Sequence, residues 1–60
     1  MSEVLSAKEA AEFLKINLYT LYFYSRKKLI PSIRIGNRLV RFDKGDLEEW
    51  LQKHKTKEAN

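Results

Sequence analysis

Tyr19, Tyr22, Phe23 and Arg26 recur at i, i+3, i+4 and i+7, the spacing that brings side chains onto one face of a helix. Leu21, Tyr24, Ser25 and the stem of Lys28 follow the same spacing on a second face. A helix that is apolar on two sides either lies between layers or shows one side to a partner. A chain of 60 residues holds too little material to cover both. The chemistry of the first face is contact, not catalysis. Hydroxyls on Tyr19, Thr20 and Tyr22 suit base edges or phosphates, and Arg26, Lys27 and Lys28 suit a phosphate backbone. A helix presented this way fits a major groove about 12 Å wide. Two blander readings stand beside this one: the aromatics are core in a helix rotated by one position, and Arg26 is a solvated surface residue.

Arg34, Arg38 and Arg41 surround a second feature, Gly36-Asn37. Both turn residues tolerate positive φ, so Ser32 to Phe42 reads as a hairpin. Alternation predicts Ile33, Ile35, Val40 and Phe42 inward, with Arg34, Leu39 and Arg41 outward and Arg38 at the tip. A β wing bearing arginines can lie along a phosphate strand or tip into a minor groove. The alternative is an edge strand guarded by charge.

Charge placement joins the two features. Net charge is +4, and all eight acids lie toward the chain ends, leaving Phe13 to Phe42 without one. That stretch carries Lys15, Arg26, Lys27, Lys28, Arg34, Arg38 and Arg41. A block of one sign makes a positive field, whether for solubility or for a polyanion.

Other chemistries lack their residues. There is no Ser/His/Asp or Cys/His set and no Gly-rich phosphate loop. There is no cysteine, so neither a disulfide nor a Cys-rich zinc site is available. His54 is the only histidine; it reads as a helix-end residue beside Trp50 or in solvent. Neither catalysis nor a cofactor is expected. No apolar run approaches 18 residues and no secretory signal is visible, so no membrane partner is expected and the location reads as cytoplasmic.

The positioning elements follow from caps and periodicity. Ser6 and Glu9 form an S-x-x-E capping box, followed by Ala7, Ala10, Ala11 and Leu14 on one face. Lys15-Ile16-Asn17 breaks the helix, and Asn17 caps a second one running from about Leu18 to Lys28. Leu29-Ile30-Pro31 ends it, with Leu29 and Ile30 expected in the core. Asp43 caps a third helix, in which Leu47, Trp50, Leu51 and His54 share a face and Trp50 is expected to anchor the core. The predicted fold is α+β, mostly α: a small winged helix-turn-helix over residues 1–54, with a disordered polar tail at 55–60.

These residues carry a family resemblance. Leu5 to Leu14 resembles the opening helix of the excisionase-type helix-turn-helix family, and Ile33 to Arg38 its wing. Val40 to Leu51 is similar to its final strand and helix. Thr20 to Tyr24, with Leu29-Ile30-Pro31, resembles the related MerR-type recognition helix and its exit. Lys15 stands where that family often has Gly, and Leu18, Tyr19 and Phe23 where polar or Arg residues are frequent. The long dimerising helix of MerR-type regulators has no counterpart, so effector sensing is not expected. The resemblance implies double-stranded DNA binding by the second helix and wing, in a recombination directionality factor or small transcriptional regulator of a bacterial or mobile-element system. It also implies an integrase partner or self-association on DNA. The alternative is a protein-interaction module whose outward aromatics bind a recombinase or a second copy.

Overall fold

A computed structural model of the chain describes residues 3–55. The elements are β1 (Val4–Leu5), α1 (Ala7–Leu14), α2 (Leu18–Arg26), β2 (Ile33–Ile35), β3 (Leu39–Asp43) and α3 (Lys44–Lys53). The expected tail lies outside the described residues apart from Lys55.

Side-chain caps start all three helices. Ser6 Oγ accepts from the Glu9 amide at 3.1 Å while Glu9 Oε1 accepts from the Ser6 amide at 2.9 Å, the full capping box. Asn17 Oδ1 accepts from the Thr20 amide at 2.8 Å, and Asp43 Oδ2 from the Asp46 amide at 3.0 Å. These three starts lie where the cap residues predict them.

Two lysines in the left-handed region end α1 and α2. Lys15 has φ 61°, and the Ile16 and Lys15 amides reach back to the Ala11 and Glu12 carbonyls. Lys28 also has φ 61°, and the Leu29 and Lys28 amides bond the Tyr24 and Ser25 carbonyls. Both pairs have the crossed pattern that satisfies carbonyls at a helix end. The second closure stops α2 at Arg26, two residues before the predicted Lys28. Leu29 is consequently 55% exposed and not core, whereas Ile30 is buried.

The sheet has the order β1-β3-β2, with both pairs antiparallel. β1 has no counterpart in the sequence reading; its two residues show no period, and pairing with β3 defines it. The hairpin register corrects the predicted faces. Ile33 pairs with Arg41, Arg34 with Val40 and Ile35 with Leu39, so Gly36, Asn37 and Arg38 make a three-residue loop. Of these three only Gly36 has positive φ, 65°, and a Cβ there would meet nothing within 4 Å; glycine serves conformation there, not close packing. A two-residue turn would have set Ile33 beside Val40. The extra residue moves Ile33 and Ile35 to the opposite face from Val40 and Phe42. The inward set is therefore Val40 and Phe42, with Arg34 on their side. Ile33, Ile35 and Leu39 lie exposed on the outer face with Arg41.

Leu5, Ala7, Ala10, Ala11, Leu21, Ile30, Phe42 and Leu47 form the core. Small alanines on α1 let α2 approach closely. Fully buried Leu21 and Leu47 each stabilise by about 1.5–3 kcal/mol. Trp50 is half-buried at the core's edge, and Phe42, Leu21 and Leu47 are the largest fully buried side chains. An indole is large, but its N–H requires a partner; Trp50 Nε1 finds one at the Leu29 carbonyl, outside the core centre. Leu51, expected in the same buried face, is exposed. The His54 ring packs 4.3 Å from Trp50, centroid to centroid.

Candidate nucleic-acid interface

α2 lies with Leu21 and Ser25 in the interior and its other side open. Tyr19 is 78% exposed, Tyr22 45% and Phe23 44%. Together with Arg26 they line one surface hollow. The aromatics are thus the outward face and not core, which removes the rotated-helix alternative. Thr20 is half-buried, and its amide is held by the Asn17 cap.

Phe23 is held from two sides. Its ring lies 5.9 Å from that of Tyr24, which packs against the core. Lys27 Nζ sits 5.2 Å from the Phe23 centroid, within cation–π range. The pairing places an apolar ring beside a cation at the end of the helix.

Arg34 links α2 to the wing. It lines one hollow with Tyr22, Ser25, Arg26 and Val40, and another with Lys28, Ile30 and Pro31. Its place opposite Val40, on the face turned toward the interior, brings its exposed side chain to the open flank of α2. Tyr19, Tyr22, Phe23, Arg26, Lys27, Lys28 and Arg34 are therefore gathered along α2 and the groove between α2 and β2. Arg38 is exposed at the wing tip.

Arg41 is placed apart. It pairs with Ile33 on the outer sheet face, and its Nη1 donates to the Val40 carbonyl at 2.9 Å. Alternation about a two-residue turn predicts Arg34 and Arg41 together outward; the three-residue loop puts them on opposite faces. Leu39 is exposed as alternation predicts, but Ile33 and Ile35 join it on an apolar outer face instead of lying inward. The turn length was the signal that mattered.

Among the described residues no group of three or more His, Cys, Asp or Glu is placed to hold a metal ion, and no helix is long and apolar enough to cross a membrane. What the arrangement offers is an open, cationic, aromatic surface.

Two packed helices joined by a tight left-handed turn, followed by a hairpin and a closing helix, define a small winged helix-turn-helix. A profile described as helix-turn-helix domain matches residues 4–55, and the chain belongs to this family. Helix-turn-helix domains in general bind DNA and are typically not enzymes. No curated protein and no solved structure matches the chain significantly.

Proposed function

We propose that this chain binds double-stranded DNA in a sequence-directed manner, as an excisionase-like recombination directionality factor or a small transcriptional regulator. One observation carries the reading: the outward face of α2 and the Arg34 side of the wing line two hollows that share Tyr22 and Arg26. In this reading α2 enters the major groove. Tyr19, Thr20, Tyr22 and Phe23 meet base edges, and Arg26, Lys27, Lys28 and Arg34 meet phosphates. Arg38 carries the wing tip to the flanking backbone. Arg41 stands on the far sheet face and is left out of the contact set.

Binding to duplex DNA measured across salt concentrations tests this. Several phosphate contacts require log affinity to fall steeply with log salt. Arg26→Ala and Arg38→Ala are each expected to weaken binding by about 1 kcal/mol or more. A flat salt response, or no binding at low salt, overturns the reading. Retained DNA affinity with lost self-association in Tyr19→Ala or Phe23→Ala would instead support a protein-contact role for the aromatics.

A further inference from the structure

The side-chain inventory of α2 limits what it can read. Its nine residues are Leu-Tyr-Thr-Leu-Tyr-Phe-Tyr-Ser-Arg. None is Asn or Gln, the side chains that pair bidentately with adenine, and none is Asp or Glu, which accept from cytosine N4. Ser25 is buried. Outward hydrogen bonding is left to Thr20, the tyrosine hydroxyls and Arg26, the last at the C-terminal end of the helix. Most of the open face is hydrocarbon: Leu18, Tyr19, Tyr22 and Phe23 are all exposed.

The major-groove edge offers one apolar group, the thymine 5-methyl. We propose that α2 selects its site chiefly by thymine methyl groups, contacted by Tyr19 and Phe23. The inference rests on the DNA-binding reading above and deepens it. Three observations support it. Phe23 packs beside Tyr24 and Lys27 and is still 44% exposed, so part of its ring is open to a partner. The cations beside it, Arg26, Lys27, Lys28 and Arg34, match the phosphates that flank a groove, with no acid anywhere from Phe13 to Phe42. From Tyr19 to Phe23 the helix rises about 6 Å, roughly two base-pair steps, so the two rings reach neighbouring base pairs of one short half-site.

The experiment begins by selecting duplexes from a random-sequence library with the full 60-residue chain. The selected duplex is then rebuilt with 2′-deoxyuridine replacing thymidine, one position at a time. This removes only the methyl and keeps Watson–Crick pairing. Replacement is expected to weaken binding about fourfold at each contacted thymine, the burial of one methyl group (about 0.8 kcal/mol) expressed as a ratio of dissociation constants. Phe23→Ala and Tyr19→Ala are each expected to bind more weakly and to lose the difference between thymine and uracil at one position. A selected site without thymine, or equal affinity for every uracil duplex, overturns the inference while leaving DNA binding intact. A uracil effect that persists undiminished in both variants also overturns it, since it then arises from duplex shape. Failure to select any duplex at low salt overturns the DNA-binding reading itself, and this inference with it.

Discussion

Trp50 Nε1 donates a 2.8 Å hydrogen bond to the main-chain carbonyl of Leu29. The bond ties α3 to the exit of α2, at the point where the left-handed Lys28 reverses the chain toward the wing. It therefore helps set how β2, and Arg34 with it, stands beside α2.

Trp50→Phe removes that bond and keeps an aromatic ring. A typical intramolecular hydrogen bond contributes about 0.5–1.5 kcal/mol net, and the smaller ring also surrenders packing. The variant is expected to be about 1–2 kcal/mol less stable, read as a lower urea midpoint with an unchanged slope. An unaltered midpoint would mean that the tie contributes nothing.

Lys15 occupies the left-handed region with φ 61°, where a Cβ is unfavourable and glycine is not. Lys15→Gly relieves that cost but adds freedom to the unfolded chain. The balance favours the folded state by about 0.5–1 kcal/mol, and a 60-residue domain would show this as a rise of several degrees in Tm. A fall in Tm would show that the lysine side chain gains more from its surroundings than its backbone loses. Lys28 is the weaker test, because replacing it also removes a cation from the proposed interface.

What was legible in the sequence was what local chemistry decides. Ser6 with Glu9, Asn17 and Asp43 are caps acting over three residues, and all three bond as their types predict. The division of α2 into a buried Leu21/Ser25 side and an open Tyr19/Phe23 side also follows from spacing within one helix. The failures involve longer range. Alternation gives the faces of each strand but not their relative register, and one additional loop residue reversed Ile33 and Ile35 against Val40. Trp50 was expected at the centre on size alone, yet its N–H holds it at the rim while Phe42 takes the interior. Lys28 carries no sequence signal for a left-handed residue, so spacing alone extends α2 two residues past its end at Arg26.

The register has its own test. Val40 is half-buried against the core, whereas Ile35 is half-exposed on the outer face. Val40→Thr keeps the shape but brings a hydroxyl to the core, at a cost of about 1 kcal/mol or more. Ile35→Thr places its hydroxyl in solvent on a residue that suits a strand, and is expected to change stability by less than about 0.5 kcal/mol. Chemical denaturation of the two variants decides the matter; a larger loss at Ile35 would restore the two-residue turn.

Arg34 and Arg41 separate the two sides of the wing as candidate DNA contacts. Arg34 opens onto the groove with Tyr22 and Arg26, while Arg41 lies across the sheet with one N–H already given to the Val40 carbonyl. If the α2 side faces DNA, Arg34→Ala removes a phosphate contact. Affinity then falls similarly on all sequences, and the slope of log affinity against log salt becomes shallower by about 1. Arg41→Ala is expected to leave that slope unchanged, its lost bond to the Val40 carbonyl being read separately as a small change in stability. Measuring both variants on one duplex at several salt concentrations compares the faces directly. A slope change at Arg41 but not at Arg34 would turn the docking surface to the outer sheet face, where Ile33, Ile35 and Leu39 are exposed.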